Sequence, residues 1–251
     1  MMKKFYFIVC NIYSKLFTFL ENIFYKNPIS NNSKLLTRGY ETLDLKKKLV
    51  IKNKEIEIKN NPYLQKSILS NKEIDNLINN LFIENNLCEI ITSKTGFNYS
   101  VDFLVCYKTF NIPISNSDSE VYANNWHNDK PFSENTLKLI IPQNDIEIDG
   151  GGIEILNRND SKTKDQNFLN KDKIFKMQNK VGEILVFYPN LCYHKAGIPK
   201  IGNFREQIMI QLNPAKDWCI NNSIYYKQMK IEPKFPNINY FFDKKKKLVF
   251  H

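Results

Sequence analysis

The chain has 251 residues, a net charge of +10 and an apolar fraction of 42%, which is enough for a sizeable core and excludes an intrinsically disordered chain. One large domain, or one domain with extensions, fits this length. The five cysteines are irregularly spaced and form no Cys-x-x-Cys, which argues against a disulfide framework or zinc cluster and favours a reducing compartment, the cytoplasm.

The basic charge does not by itself predict a nucleic-acid partner. Only three of the 36 basic residues are arginines, and the lysines are scattered along the chain. Proteins that read nucleic-acid sequence rely on arginine with clustered aromatic residues. We therefore interpret the charge as a solvated, lysine-rich surface.

Residues 5–24 are the most apolar stretch, and polar residues interrupt it at helical spacing. The interruptions are Asn11, Ser14, Lys15, Thr18, Glu21 and Asn22. They argue against a transmembrane helix, and no small-residue cleavage site marks a signal peptide. We expect an amphipathic N-terminal extension over 1–30. Its wide apolar face needs cover from the protein's own body, a partner subunit or a membrane interface, and the first of these is the commonest use of such a helix.

Helical signals precede the β-rich part of the chain. Residues 35–45 predict a short extended segment with a turn at Gly39, and 46–60 could be a strand or the start of a helix. Ser70 and Glu73 form a capping box, after which apolar residues recur at helical spacing. A helix is predicted over 71–87.

Short β-branched and aromatic runs follow, separated by turn residues, and predict an all-β sandwich or barrel core over about 97–214. The runs are 102–110, 136–142, 151–156, 182–189 and 205–213. The main domain is thus predicted over 31–214, followed by an aromatic and lysine-rich extension over 215–251. Its run Lys244–Lys247 predicts a solvated terminal strand or tail, with acidic lipid head groups as an alternative partner.

Two of the three histidines stand where a metal site would need them. On a strand His127 and Asp129 project to the same side, and His194 follows another strand. Two histidines and one carboxylate form the facial triad of non-heme Fe(II) oxygenases. Arg205 opens the next strand and shares a face with Gln207, Met209 and Gln211. An arginine pointing into a barrel needs an anionic partner, such as the carboxylate of a co-substrate.

The order of these motifs resembles the Fe(II)/2-oxoglutarate-dependent dioxygenases, and within them the phytanoyl-CoA dioxygenase-like branch. The resemblance extends over about 35–213 and is carried by Trp126-His127-Asn128-Asp129, Gly151-Gly152-Ile153-Glu154, Val181-Gly182-Glu183-Ile184, Tyr193-His194 and Asn203-Phe204-Arg205. It implies an α+β fold, a double-stranded β-helix (jelly roll, cupin-like) with N-terminal helices packed on one sheet. It further implies that His127, Asp129 and His194 bind iron, and that Arg205 binds the distal carboxylate of 2-oxoglutarate.

Other contacts to the co-substrate are not specified by a motif. We name Tyr107 and Lys138, with a core tyrosine and a solvated lysine as the alternatives. The sequence departs from the phytanoyl-CoA dioxygenase-like branch at Asn128, where glutamine is common. Loops at 111–124 and 156–180 are expected to determine the substrate.

The expected function is therefore a dioxygen-using hydroxylase that acts on an unactivated C–H bond and releases succinate and CO2, with ascorbate as a supporting reductant. We expect a small-molecule substrate, or one linked to a carrier or lipid, and a cytoplasmic protein that could contact a membrane through residues 1–27. Two alternatives stay open: the same chemistry on nucleic acid or protein, and a non-catalytic jelly-roll binding module.

Overall fold

The computed structural model describes residues 2–29, 33–51, 54–56, 61–113, 115, 121–129, 132–162, 173–226 and 245–248. Its α-helices are α1 (Met2–Phe24), α2 (Lys34–Arg38), α3 (Asn71–Ile78), α4 (Leu87–Thr95) and α5 (Ser223–Tyr226). Its strands are β1 (Tyr40–Asp44), β2 (Glu55–Ile56), β3 (Leu64–Ile68), β4 (Asn98–Phe110), β5 (Leu137–Pro142), β6 (Glu154–Leu156), β7 (Ile174–Lys176), β8 (Glu183–Phe187), β9 (His194–Lys195), β10 (Phe204–Ala215), β11 (Cys219–Asn221) and β12 (Lys245–Lys247). All five predicted β runs are strands.

Two sheets form the β core. In the part of the chain that is described, the large sheet has the order β1-β8-β5-β10-β4-β11-β12, and β3 joins β4 and carries β2. Among the described strands of this sheet, β11 and β4 form the one parallel pair. The small sheet has the order β7-β6-β9 and is antiparallel. This is the expected mixed α+β jelly roll, in which two sheets enclose a cup.

The alternation of side chains along β10 divides the core into two layers. Ile208, Ile210 and Leu212 pack with the helices on the outer face of the large sheet. Met209 points the other way and packs with Ile155 of the small sheet and its neighbours. Because successive strand residues point to opposite faces, Arg205, Gln207 and Gln211 share the inner face with Met209.

Two local predictions need correction. Residues 34–38 are helical rather than extended, because the Ser33 hydroxyl caps the helix by accepting from the Leu36 N–H at 3.2 Å, and Gly39 ends it with φ of +87°. The helix predicted over 71–87 is α-helical only to Ile78. It continues as a π-helix over Asn79–Glu84, where the Asn85 N–H donates to the Asn80 carbonyl at 2.9 Å. The capping box is present at Ser70.

Helix α1 lies on the body with its polar stripe inward, contrary to the commonest arrangement. Four hydrogen bonds anchor this stripe. Ser133 Oγ and Asn135 Nδ2 both donate to Glu21 Oε2. The Glu134 N–H donates to Thr18 Oγ1, and Asn190 Nδ2 donates to Ser14 Oγ. Glu21 is 4% exposed and Ser14 is 3% exposed. Among the described residues, the protein's own body therefore leaves the apolar face uncovered.

No helix in the described part of the chain combines the length and apolar character needed to cross a bilayer. At the other end, β11 pairs with β4, so part of the predicted C-terminal extension belongs to the large sheet. Lys245–Lys247 form the exposed strand β12, as predicted, and Lys244 lies outside the described residues.

Candidate metal and co-substrate site

The two candidate histidines face each other across an isolated antiparallel bridge. The His127 N–H donates to the His194 carbonyl at 2.9 Å, and the His194 N–H donates to the His127 carbonyl at 3.0 Å. Their ring centroids are 4.4 Å apart. A reciprocal backbone pair of this kind places side chains 67 residues apart in sequence on the same face of the sheet.

Backbone contacts select the tautomer of each ring. The carbonyl of Asn125 lies 2.8 Å from His127 Nδ1, and that of Cys192 lies 2.9 Å from His194 Nδ1. A carbonyl can only accept a hydrogen bond, so Nδ1 carries the proton and the Nε2 lone pair of each ring is available to a metal.

The carboxylate of Asp129 completes the group. Its Oδ1 lies 3.4 Å from His127 Nε2 and 3.7 Å from His194 Nε2. The three ligand atoms all lie within 4.8 Å of one another, as the ligands of a single ion require. Asn128 turns away and donates to the Asn190 carbonyl at 3.1 Å, so the alternation predicted from the sequence is present.

Burial and neighbouring charges shift the pKa values of all three donors. Burial alone raises the pKa of Asp129, but the Lys138 ammonium, with His127 and His194, lowers it far below its usual range. Burial lowers the pKa of His194 to about 4. Burial also lowers the pKa of His127, but Asp129 outweighs this effect and raises it. At neutral pH the site therefore offers an ionised carboxylate and a neutral His194.

Lys138 is a buried member of this group rather than a solvated lysine. Its side chain is 7% exposed, and Nζ forms an ion pair with Asp129 Oδ2. The pairing occupies one carboxylate oxygen and leaves the other, Oδ1, beside the two imidazoles. Lys138 thus orients the carboxylate toward the histidines.

Arg205 is enclosed among backbone carbonyls. The side chain is 1% exposed, and Nη1 donates to the carbonyls of Gly151 and Gly197, the latter at 3.5 Å. Gly151 has φ of +69°, and a Cβ on Gly152 would lie 1.8 Å from the Met177 carbonyl oxygen, so this close approach of strands requires glycine. Arg205 is therefore a buried side chain and not a surface one.

Two nitrogens of Arg205, Nε and Nη2, are buried without a hydrogen-bond partner among the described residues. Burial lowers the pKa of Arg205, and Tyr107 and Tyr122 oppose this effect. A buried guanidinium with two unpaired nitrogens is matched by a bidentate carboxylate.

The sequence placed two glutamines on the strand face of Arg205 but gave neither a function. Gln207 Nε2 donates to the Tyr107 hydroxyl, but Gln207 Oε1 and both amide atoms of Gln211 are buried and have no partner among the described residues. Gln207 lies opposite Tyr107 in the register, and Gln211 lies opposite Lys138. The pattern Arg-x-Gln-x-Met-x-Gln was the sequence signal for a polar lining beside Arg205, because a period of two places these residues on one strand face.

The unpaired atoms lie on one face of β10, from Arg205 to Gln211, and we call this strand face the corridor. Tyr107 stands near Arg205 at one end, and Lys138, opposite Gln211 at the other end, contacts Asp129 of the triad. Arg205 Nη1 also contacts the Gly197 carbonyl, which follows His194 by three residues.

Comparison with known proteins gives matches among solved structures. No family model and no curated protein matches the chain. The non-heme α-ketoglutarate-dependent epimerase SnoN of nogalamycin biosynthesis is 10% identical with a TM-score of 0.50, over 72% of this chain and 81% of SnoN. HygX from Streptomyces hygroscopicus, solved with nickel and 2-oxoglutarate, is 8% identical with a TM-score of 0.47, over 75% of this chain and 89% of HygX.

The likeness to SnoN extends over most of both chains and confirms the predicted fold. The phytanoyl-CoA dioxygenase-like branch stays a prediction, as do the roles of the site residues. In fold, the chain is an α+β jelly roll similar to that of SnoN, a non-heme α-ketoglutarate-dependent epimerase.

Proposed function

We propose that the chain is an Fe(II)- and 2-oxoglutarate-dependent oxygenase. The observation that carries the proposal is the convergence of His127, Asp129 and His194, with all three ligand atoms within 4.8 Å of one another and each histidine Nδ1 held by a backbone carbonyl. Two imidazoles and one carboxylate suit Fe(II) and leave coordination positions open to a co-substrate.

The residues at the far end of the cup fit 2-oxoglutarate. Arg205 would bind the distal carboxylate through Nε and Nη2, which have no partner among the described residues. Tyr107 and Gln207, joined by a hydrogen bond, stand beside it. Gln211 would offer its amide to the co-substrate nearer the metal, opposite Lys138.

When bound, iron and 2-oxoglutarate supply dioxygen activation coupled to the release of succinate and CO2, with ascorbate as a supporting reductant. The protein's own contribution is orientation and exclusion of water. Lys138 holds Asp129 with Oδ1 toward the histidines. Phe187 packs edge-on against His194 with ring centroids 5.0 Å apart and closes the wall behind the ligand.

The proposed reaction is hydroxylation of an unactivated C–H bond in a small molecule or in a substrate linked to a carrier or lipid. SnoN is described as an epimerase, so product analysis has to include epimerised as well as hydroxylated products. The loops expected to determine the substrate, 111–124 and 156–180, lie partly outside the described residues.

The test is succinate formation by the full chain with Fe(II), ascorbate and 2-oxoglutarate, first without substrate and then with a metabolite pool. His127→Ala should abolish turnover and the visible absorption band that 2-oxoglutarate induces in the anaerobic Fe(II) protein. Asn125→Ala is the matched control, because this exposed residue contacts the His127 ring only through its backbone carbonyl.

Equal turnover by His127→Ala and the parent would refute the proposal. A parent that binds neither Fe(II) nor 2-oxoglutarate would favour a non-catalytic binding module. Oligonucleotide binding that weakens with salt would favour the same chemistry on nucleic acid.

A further inference from the structure

Helix α1 presents a continuous apolar face to solvent. Phe5, Ile8, Ile12, Leu16, Phe19 and Ile23 recur every three or four residues and are 51–69% exposed. Tyr6, Leu20 and Phe24 are also exposed along the margin of this stripe. This is a far larger apolar patch than isolated surface residues produce, and such patches mark interaction sites.

The anchoring contacts hold this face outward. The polar stripe of α1 is hydrogen-bonded to residues 133–135 and to Asn190, and Glu21 is 4% exposed within it. Rotating the helix to bury its apolar face would break these hydrogen bonds and leave their polar groups on the protein body without partners. The outward orientation is therefore built into the fold.

The charged residues of α1 and of the segment just after it are basic, apart from the buried Glu21. The first forty residues contain six basic residues and a single acid, Glu21, which is the buried one. Lys15 is exposed on α1, and Lys26 is exposed just beyond its end. An exposed apolar stripe bordered by lysines matches an anionic lipid surface, where the apolar side chains enter the head-group boundary and the ammonium groups meet lipid phosphates.

We propose that the outer face of α1 docks the protein on an anionic lipid surface, with the helix lying in the plane of the interface. A second copy of the chain fits less well, because a two-fold contact through this stripe would bring the lysines of both copies together without an acid to meet them. The proposal does not depend on the chemistry at the triad.

Docking would bring the lipid close to the metal ligands. Asn190 donates to Ser14 Oγ at 2.7 Å on α1, and its carbonyl accepts from Asn128 Nδ2 at 3.1 Å, next to Asp129. The lipid surface and this segment are therefore separated by about one helix diameter, on the order of 10–12 Å.

The test is co-sedimentation of the full chain with phosphatidylcholine vesicles prepared with and without phosphatidylserine. We expect binding that requires phosphatidylserine and weakens with salt. The double variant Ile12→Glu/Phe19→Glu should lower partitioning by about tenfold or more, and Lys15→Glu should reduce it by a smaller factor. Ile201→Glu is the matched control, because Ile201 is 88% exposed outside α1.

The substituted side chains are exposed, so the thermal unfolding temperature should be unchanged. If the first pair misfolds, Ile8→Glu/Ile23→Glu repeats the test on the same face. Absence of vesicle binding by the parent, or equal loss in Ile201→Glu, would overturn the proposal. A dimer of the parent in analytical ultracentrifugation, dissociated by Phe19→Glu, would also overturn the proposal if the parent did not bind vesicles. A second copy of the chain would then cover the apolar face.

Discussion

Replacing Arg205 by methionine tests whether this arginine supports the fold or binds a ligand. Only Nη1 is hydrogen-bonded among the described residues, whereas Nε and Nη2 are buried and unpaired. Each unpaired buried donor costs about 1–3 kcal/mol, and methionine removes both. It also leaves the carbonyls of Gly151 and Gly197 without their donor. These effects oppose each other, so we expect the free energy of unfolding of the ligand-free variant to lie within about 2 kcal/mol of the parent value.

The ligand response should change far more. A ligand at a hundred times its Kd stabilises the folded state by about 2.7 kcal/mol. For a chain of this size that is a rise in Tm of about 5–10 °C. With a redox-inert divalent metal present, 2-oxoglutarate should produce this rise in the parent and none in Arg205→Met. Thermal unfolding with and without 2-oxoglutarate measures both quantities.

Arg38→Met is the control, because Arg38 is exposed at the end of α2. It should retain the full 2-oxoglutarate response. A loss of about 3–5 kcal/mol in ligand-free Arg205→Met would identify Arg205 as a structural partner of a buried charge instead. A preserved Tm shift would refute the assignment of the co-substrate contact.

Three further substitutions test the site and the anchoring of α1. Asp129→Asn leaves the buried Lys138 ammonium without its carboxylate and should lower the free energy of unfolding by about 3–5 kcal/mol. Chemical denaturation should show that Asp129→Asn/Lys138→Met recovers most of that stability. Metal analysis should show that neither variant binds iron. Gln211→Leu should change the free energy of unfolding by less than about 1 kcal/mol, because the Gln211 amide is unpaired among the described residues. It should raise the KM for 2-oxoglutarate about tenfold. Unchanged steady-state kinetics would show that Gln211 does not contact the co-substrate. Glu21→Leu should lower the free energy of unfolding by about 1–3 kcal/mol and speed hydrogen exchange throughout α1. Exchange as slow as in the parent would show that Glu21 does not anchor the helix.

Half of the candidate metal site was accessible from the sequence because its geometry is local. Alternation along an extended chain places His127 and Asp129 together, whereas only the long-range bridge shows that His194 lies alongside them. The function of the glutamines was not accessible, because it depends on packing between distant segments. Gln207 and Gln211 are ordinary strand residues until the cup exists, and only the packed sheets reveal that their amides are buried without partners.

The sequence by itself determined the five main strands, the strand face on which Arg205 lies and the amphipathic character of residues 5–24, because each follows from periodicity within one segment. Tertiary structure alone decided which side of α1 faces the protein. The groups that hold its polar stripe, at Ser133, Asn135 and Asn190, lie more than 100 residues away in sequence. Hydrogen bonds to these distant groups outweigh the usual tendency of an apolar stripe to turn inward, and no pattern within the helix encodes them.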